Sequence, residues 1–164
     1  MQGKKPMASL FDQQRFMEEL AAQQKLVSRA NGLSALVLID IDSFKDISVK
    51  HSRLVVDATI KYFTQSLQSS LRRSDICRHY GGEKFAVAMP ATDVIQAAEK
   101  IDRIRNDFSK LKQTSAAGDF NITFSAGIAA ITPATVDIFG LIETARRALY
   151  EAKNAGHNTV RIAP

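Results

Sequence analysis

The alternation of apolar and polar residues along the chain predicts strands that alternate with helices. Residues 33–41, LSALVLIDI, are almost continuously apolar, which is typical of a central strand covered on both faces. The segments DICRHY and FAVAMP flank Gly81 and Gly82 and predict a β-hairpin, and further strands are predicted in NITFSAGIAAI and NTVRI. Apolar residues at helical spacing predict helices at residues 10–31, 54–71, 93–111 and 138–155.

The predicted order of elements is a helix followed by β-α-β-β-α-β-α-β. This order predicts an α/β (α+β) fold with a ferredoxin-like core, in which helices flank a mainly antiparallel central sheet. The sequence has no internal repeat and no interior linker, so residues 7–164 are expected to form one domain. Residues 1–6 are expected to be a linker or vector-derived, because MQGKKPM lacks the apolar core of a signal peptide.

Composition narrows the class of protein without indicating one function. The 164 residues are 45% hydrophobic and 24% charged, and no segment approaches the roughly 20 apolar residues of a membrane-spanning helix. The one cysteine, Cys77, excludes an internal disulfide and fits a reducing cytoplasm. A net charge of +5 favours anionic partners, but the basic residues are dispersed and tryptophan is absent, which argues against binding a nucleic-acid polymer.

Two candidate sites contain acidic residues beside predicted strands. Asp40-Ile41-Asp42 ends the predicted central strand, where ligands of open α/β sheets bind, and carboxylate oxygens suit magnesium held together with a phosphate. A helix cap or an exposed strand end fits these two aspartates equally well. The hairpin YGGEKF adds Glu83, and its paired glycines allow close approach of a ligand. Taken alone, an ordinary solvated hairpin tip is the simpler interpretation.

A third candidate site is Arg72-Arg73-Ser74-Asp75, after the second predicted helix. Arg72 and Asp75 are three residues apart and can share a face, which presents a guanidinium fork beside a carboxylate. One interpretation is a surface ion pair worth under about 1 kcal/mol. The other is a guanine-phosphate site, in which the arginine stacks or forks and the carboxylate accepts from a guanine edge.

Taken together, these motifs resemble those of the GGDEF family, the diguanylate cyclase domains of bacteria. The resemblance covers residues 7–160 and rests on DIDSFKDI, Arg72 to Asp75, YGGEKF, ITFSAGIA and ARRALYEAKNAGHNTV in that order. It implies a palm-like, nucleotidyl-cyclase-like fold, in which two domains each hold a GTP with Mg²⁺ or Mn²⁺ and together make cyclic di-GMP. Each 3′-hydroxyl attacks the other nucleotide's α-phosphate, with the metal as Lewis acid. It also implies a cytoplasmic location within a larger signalling protein, membrane-anchored or not.

The resemblance assigns substrate roles to individual residues. Asp40 and Glu83 are implied to bind the metal and are the catalytic candidates, with Glu83 also placed for the 3′-hydroxyl. The implied substrate-binding residues are Ser48, Asp57, Gly81, Gly82 and Lys153. Among these, Asp57 reads guanine and Lys153 holds the terminal phosphates.

The resemblance also implies a binding site for the product. Arg72 and Asp75 match the inhibitory site at which an intercalated dimer of cyclic di-GMP binds. Arg103, on the next predicted helix, falls where the family often adds a second arginine to that site. Arg105 is the alternative for this position.

Several positions depart from the family pattern. Lys84 stands where the fourth signature residue is normally glutamate, which replaces attraction for a metal by repulsion; a unit charge pair at 4 Å is worth roughly 4 kcal/mol at an effective dielectric of 20. Ser48 replaces an asparagine that reads guanine, and His157 replaces a phosphate-binding arginine. The remaining departures are Val49, Ser52, Arg53, Val56, Arg146 and the N-terminal ASLFDQQ. The implied substrate site is therefore eroded, whereas the implied product site is complete.

These observations predict a cyclic di-GMP signalling domain with weak or no cyclase activity, which binds cyclic di-GMP through Arg72, Asp75 and Arg103 as a receptor or regulatory module. Mg²⁺ or Mn²⁺ is required only if the domain is catalytically competent. Two alternatives stay open: an active diguanylate cyclase under product inhibition, and a GTP-binding or protein-interaction domain without catalysis. The expected partners are cyclic di-GMP, GTP and a second copy of the domain in a ligand-mediated homodimer.

Overall fold

A computed structural model describes residues 10–164, with side chains described from residue 13 onward. The expected linker at residues 1–6 lies outside the described residues. The elements are α1 (Leu10–Ala30), β1 (Ser34–Ile41), α2 (Phe44–Lys50), α3 (Arg53–Ser70), β2 (Ile76–Gly81), β3 (Lys84–Pro90), α4 (Val94–Ser109), β4 (Lys112–Gln113), β5 (Phe120–Asn121), β6 (Phe124–Ile131), α5 (Ile138–Asn154) and β7 (Val160–Ile162). Within residues 10–164, no helix has the length and apolar character needed to cross a membrane.

The main sheet has five strands in the order β2-β3-β1-β6-β7. Neighbouring strands are antiparallel except for β6 and β7, which are parallel. This arrangement confirms the predicted mainly antiparallel sheet with a ferredoxin-like core. The register places Asp40 of β1 opposite Lys84 of β3 on one side and opposite Ser125 of β6 on the other.

The structure contains one short helix and one short pair of strands that the sequence did not predict as separate elements. Helix α2 follows the end of β1, and none of its residues is buried, so its sequence carries no apolar repeat that would reveal it. Strands β4 and β5 pair antiparallel over two residues each, on either side of residues 114–119. Of these four residues, Asn121 falls within a predicted strand, NITFSAGIAAI. Strands this short contain too few residues to show an alternating pattern.

Helices cover both faces of the sheet, and each face has its own apolar core. Every residue of β1 is buried, as predicted for a central strand. Residues Val37 and Ile39 face a core that includes side chains of α3 and α4, such as Phe63. Leu36 and Leu38 face the other core, which α1 and α5 complete. The chain therefore forms a helix–sheet–helix sandwich.

Gly127 on β6 lets α5 lie directly against the sheet. A Cβ atom at this position would lie 2.2 Å from the backbone nitrogen of Leu149 and 2.4 Å from the carbonyl oxygen of Ala145. Real side chains do not tolerate such approaches, so only glycine fits here without moving the helix. The close packing also fixes the end of α5, which carries Lys153 toward β1.

Candidate functional site

Asp40 lies at the carboxyl end of β1, where two ammonium groups neutralise it. Its side chain is only 4% exposed. Lys84, opposite it on β3, donates from Nζ to Asp40 Oδ2 at 3.3 Å, and Lys153 of α5 donates from Nζ to the same oxygen. A buried carboxylate is destabilising unless a cation or hydrogen-bond donors balance its negative charge, as these two lysines do. We call these three residues the Asp40 cluster.

Asp42 has a separate set of partners and plays a structural part. Its Oδ1 accepts a hydrogen bond from Ser125 Oγ at 2.7 Å. Its Oδ2 accepts from Thr123 Oγ1 at 2.7 Å and from the backbone N–H of Asn158 at 2.9 Å. These bonds tie the end of β1 to β6 and to the turn after α5. For Asp42, the structural interpretation of the Asp-Ile-Asp motif therefore fits.

An open cleft of about 490 Å³ lies over the two aspartates, and we call it the Asp40 cleft. Its walls are Asp40, Ile41, Asp42, Ser43, Phe44, Lys45, Ser48, Glu83, Lys153 and His157. The fold thus brings together Asp40, Ser48, Glu83 and Lys153, which come from β1, α2, the β2–β3 turn and α5. Lys45 is a cleft residue that the sequence reasoning missed, and its position three residues after the Asp-Ile-Asp motif was the available signal.

The other predicted substrate residues lie outside the walls of this cleft. Asp57 is on α3, where it pairs with Arg53 at 3.9 Å and its side chain is 40% exposed. Gly81 and Gly82 form the hairpin turn with φ angles of 136° and 49°. A Cβ atom at Gly81 would meet nothing within 4 Å, so backbone conformation and not crowding explains the glycine.

The donor groups of the Asp40 cleft offer few free carboxylate oxygens to the divalent cation that the resemblance implies. Both ammonium groups of the Asp40 cluster are bound to the carboxylate that would ligate the metal. Asp42 uses both of its oxygens in structural hydrogen bonds, which leaves Glu83 as the remaining carboxylate on the walls. Within the part of the chain that the structure describes, no three His, Cys, Asp or Glu side chains are grouped to hold a metal ion. Metal binding by Asp40 and Glu83 stays a prediction.

Arg72 and Asp75 form a second site, in the turn between α3 and β2. Asp75, whose side chain is fully buried, accepts from the backbone N–H of Arg72 at 2.8 Å and from its Nη2 at 2.8 Å. The same Nη2 also donates to the Pro90 carbonyl oxygen and to Thr92 Oγ1, each at 2.8 Å. The hydrogen bond and the charge of Asp75 raise the pKa of the Arg72 guanidinium. The arginine is therefore charged and held in one orientation.

A cleft of about 390 Å³, the Arg72 cleft, opens beside this pair. Its walls are Gln68, Leu71, Arg72, Arg73, Asp75, Ile76, Cys77 and Arg78. Arg103 is not among them; it lies exposed on α4. Arg105 donates to Asp102 at 2.7 Å and to Asn158 at 2.8 Å, and is thus engaged elsewhere. Arg103 is therefore more accessible than Arg105, the alternative residue for the second arginine of the product site.

Arg78 and Thr92 are features of this region that the sequence reasoning missed. Arg78 lines the Arg72 cleft and donates to both carboxylate oxygens of Glu19 on α1, at 3.0 and 2.6 Å. Thr92 accepts from Arg72 and donates to the Pro90 carbonyl. Arg78 bonds Glu19, 59 residues away, and Thr92 accepts from Arg72, 20 residues away, so no local motif reveals either contact.

Burial sets the protonation of two side chains of β2. Burial, reinforced by the negative charge of Asp40, raises the pKa of Tyr80 to about 12, against a smaller opposing effect of Arg146. Burial likewise raises the pKa of the Cys77 thiol to about 12, against the opposing charge of Arg78. Cys77 is a free, buried cysteine, as its apolar surroundings in the sequence indicated. Both groups are protonated at neutral pH.

Known proteins are similar to this chain in sequence and in fold. Residues 6–159 match the family model described as "Diguanylate cyclase, GGDEF domain". The chain is 31% identical over 160 residues to the diguanylate cyclase DgcP of Pseudomonas aeruginosa, covering 96% of this chain and 23% of DgcP. It is 36% identical over 141 residues to the response regulator PleD of Caulobacter vibrioides, covering 82% of this chain and 31% of PleD. The chain therefore spans under a third of the length of each of these relatives.

A solved structure with the same fold is the GGDEF domain of DgcB from Caulobacter crescentus in complex with c-di-GMP. It matches with a TM-score of 0.84 at 28% identity, covering 90% of this chain and 88% of that chain. The chain belongs to the GGDEF diguanylate cyclase family, as the sequence resemblance implied.

Proposed function

We propose that this domain binds cyclic di-GMP at the Arg72 cleft and serves as a receptor or regulatory module, with weak or no cyclase activity. One contrast carries the proposal. The side chain of Arg72 is 45% exposed, and its guanidinium is fixed on a fully buried carboxylate, whereas Asp40 is neutralised by Lys84 and Lys153. The first arrangement suits ligand recognition, and the second opposes metal-dependent synthesis.

The geometry of Arg72 supports recognition of a guanine or phosphate edge. A guanidinium is planar and presents N–H donors in a fixed fork, which matches acceptors in pairs. Asp75, Pro90 and Thr92 hold the Nη2 side of the fork. Among the described residues, Nη1 has no hydrogen-bond partner, so part of the fork is available to a ligand. Because the side chain is already ordered, binding loses little rotamer entropy.

Three further observations support the assignment of cyclic di-GMP as the ligand. The open Arg72 cleft has room for a base beside the guanidinium. Arg73 adds positive charge to its walls, which favours a doubly charged dinucleotide. The GGDEF domain of DgcB, which shares the fold, was solved in complex with c-di-GMP. Arg103 is the candidate for a second arginine contributed from α4.

Weak synthesis follows from the charge of the Asp40 cleft. The reaction that the resemblance implies needs a divalent cation to neutralise the α-phosphate and the attacking oxygen. The ammonium groups of Lys84 and Lys153 lie on the carboxylate that would hold that cation and repel it. The expected result is loss of metal affinity and, with it, of the synthetic rate.

The alternative function is an active diguanylate cyclase. Its support is the convergence of Asp40, Glu83 and Lys153 on one cleft, together with relatives such as DgcP that are named diguanylate cyclases. In that case the Arg72 cleft would serve product inhibition. Separate measurements of binding and of synthesis distinguish the two functions.

Calorimetric titration with cyclic di-GMP tests the proposed ligand. The parent domain is expected to bind, and Arg72→Ala is expected to lose at least about tenfold in affinity, because a hydrogen bond to a charged group is worth about 1.5–3 kcal/mol. Arg29→Ala is the matched control, since Arg29 is exposed in the last turn of α1. Absence of binding by the parent domain would contradict the proposal.

A synthesis assay tests the second half of the proposal. The domain, fused to a dimerising coiled coil, is incubated with GTP and either Mg²⁺ or Mn²⁺, and cyclic di-GMP is quantified. We expect little product from the parent and more from Lys84→Glu. Sustained synthesis by the parent that Glu83→Ala abolishes would overturn the assignment in favour of the active cyclase.

A further inference from the structure

An ion pair between Glu19 of α1 and Arg78 of β2 joins the first helix to the strand that borders the Arg72 cleft. Arg78 donates from Nε to Glu19 Oε1 at 3.0 Å and from Nη2 to Glu19 Oε2 at 2.6 Å. Two parallel bonds between a guanidinium and a carboxylate are among the strongest polar contacts in proteins. The side chains of Arg78 and Glu19 are 33% and 24% exposed, so salt screens this pair less than a fully exposed pair. We call this contact the Glu19–Arg78 link.

The same arginine belongs to the wall of the Arg72 cleft. Its third guanidinium nitrogen, Nη1, donates to the carbonyl oxygen of Cys77 at 3.2 Å, and both Arg78 and Cys77 line that cleft. All three guanidinium nitrogens are therefore bonded within the chain. A ligand in the Arg72 cleft that binds the guanidinium of Arg78 has to replace one of these partners.

Glu19 is the partner that an anionic ligand can replace. A phosphate oxygen offers a guanidinium the same charge-assisted bond as a carboxylate oxygen does. The carboxylate of Asp75, which holds Arg72, is fully buried and would lose its bonds without gaining water. Glu19 is partly exposed, so water can solvate its carboxylate after Arg78 leaves. Arg72 is therefore the fixed arginine of this region, and Arg78 is the exchangeable one.

We propose that Glu19 is an internal competitor of cyclic di-GMP: its carboxylate holds Arg78 until the bound dinucleotide takes the guanidinium, and the ligand thereby loosens α1 from β2. This inference rests on the proposed binding of cyclic di-GMP at the Arg72 cleft. Because coupling between two binding events is reciprocal, a change that draws α1 away from β2 raises the affinity for the ligand by the factor by which the ligand weakens the Glu19–Arg78 link. The position of α1 then regulates the site.

Calorimetric titration of Glu19→Gln with cyclic di-GMP tests the competition. The amide keeps the shape of the side chain and removes its charge, so Arg78 is released and the affinity is expected to rise at least about threefold. Glu18→Gln is the matched control, because it removes the same charge from the neighbouring, exposed position of α1. Screening by salt should limit its effect to less than about 1.5-fold. Equal affinities of the two variants would overturn the inference.

A double-mutant cycle shows whether the gain passes through the guanidinium of Arg78. Arg78→Met is expected to lose at least about threefold in affinity, because the charge-assisted bond to the ligand is removed. In the Arg78→Met background, Glu19→Gln is expected to change the affinity no more than Glu18→Gln does. Unchanged affinity of Arg78→Met, or a gain from Glu19→Gln that persists without Arg78, would contradict the competition. Thermal unfolding of each variant verifies that it is folded.

Hydrogen exchange measures the effect on α1. In the parent, saturation with cyclic di-GMP is expected to speed the exchange of the α1 amides around Glu19, because the link that holds this part of the helix to β2 is lost. In Glu19→Gln the link is already absent, so the ligand should leave that exchange unchanged. Unchanged or slower exchange in the parent would contradict the loosening of α1.

The outcomes separate this inference from the function on which it rests. If the parent domain does not bind cyclic di-GMP, the proposed function fails and the inference fails with it. If the parent binds cyclic di-GMP and Glu19→Gln binds it with the affinity of the parent, the proposed function stands and only the competition by Glu19 is refuted.

Discussion

The two clefts are built on the same pair of groups: a buried carboxylate and a basic side chain that is nearly half-exposed. The side chains of Asp75 and Asp40 are 0% and 4% exposed, and those of Arg72 and Lys84 are 45% and 47% exposed. The difference lies in the number of cations. Asp75 orients a single guanidinium, whereas Asp40 receives ammonium groups from both Lys84 and Lys153. Similar burial thus leaves one oriented guanidinium in the Arg72 cleft and two ammonium groups bound to one carboxylate in the Asp40 cleft.

The two pairs also differ in the sequence distance that they bridge. Arg72 and Asp75 are separated by three residues, and their contact forms within one turn. Asp40 is separated from Lys84 by 44 residues and from Lys153 by 113. The Asp40 cluster therefore depends on correct packing of β3 and α5 against β1. Substitutions that disturb the packing should damage the Asp40 cleft first.

Gly127→Ala is expected to have the largest effect. The new methyl group would overlap the backbone of α5, so the unfolding free energy should fall by at least about 3 kcal/mol. Displacement of α5 should also separate Lys153 from Asp40 and impair the Asp40 cleft more than the Arg72 cleft. Chemical denaturation checks the stability. Gly32→Ala, where the added methyl group meets nothing within 4 Å, is the control, and equal stability of the two variants would refute the packing argument.

Asp42→Asn is expected to lower the unfolding free energy by about 2–3 kcal/mol. The amide replaces one acceptor oxygen by a donor, which faces Ser125 Oγ or the backbone N–H of Asn158. Asp119→Asn, at an exposed loop position, controls for the lost charge. Denaturation by urea measures both changes. If Asp42→Asn were neutral, the structural role assigned to Asp42 would be wrong.

Asp75→Asn should have an effect of about 2 kcal/mol, because the fully buried carboxylate accepts two charge-assisted or backbone bonds from Arg72. The chain offers a matched comparison in Asp102→Asn, which breaks another Asp–Arg pair three residues apart. The side chain of Asp102 is 55% exposed, so that change should amount to less than about 0.5 kcal/mol. Equal losses in the two variants would show that burial does not distinguish these pairs.

The contribution of Tyr80 to the alkaline loss of stability should be the smallest of these effects up to about pH 11. An unfolded tyrosine ionises near its ordinary pKa of 10.0, whereas folded Tyr80 keeps its proton up to a pKa of about 12. The unfolded state therefore binds fewer protons in this window, and stability falls as pH rises, by up to about 1.4 kcal/mol per pH unit. Cys77 adds a similar decline from its ordinary value of 9.0 to about 12.

Tyr80→Phe isolates the contribution of the tyrosine. The variant should lose less stability than the parent between about pH 8 and about pH 11, as measured by urea denaturation at each pH. Tyr150→Phe, at an exposed tyrosine of α5, is the matched variant. An identical alkaline decline in the parent and in Tyr80→Phe would contradict burial of a protonated phenol at position 80.

Local patterns predicted much of the fold and the Arg72 site. The uninterrupted apolar run before Asp40 identified β1, and the paired glycines identified the β2–β3 hairpin. The sequence also indicated that Arg72 and Asp75 could share a face, because their contact is local. Helix α2 was missed because it buries none of its residues.

The charge arrangement of the Asp40 cleft could not be predicted in the same way. The pairing of Lys84 with Asp40 depends on the register between β1 and β3, which neither strand specifies alone. The contact from Lys153 requires α5 to pack on β6 at Gly127. The sequence indicated that a lysine at position 84 would repel a metal, but only the folded chain brings its Nζ to the carboxylate itself. The roles proposed for Asp57 and Arg103 stay predictions.

Strand β3 begins at Lys84 and ends at Pro90, whose carbonyl oxygen accepts from Arg72. Its seven residues separate the two binding regions by about 20 Å, at roughly 3.3 Å per residue. Strands β1 and β2 pair with the two edges of this strand along most of its length, so its length is fixed. The strand therefore holds the Asp40 cleft and the Arg72 cleft at a fixed separation.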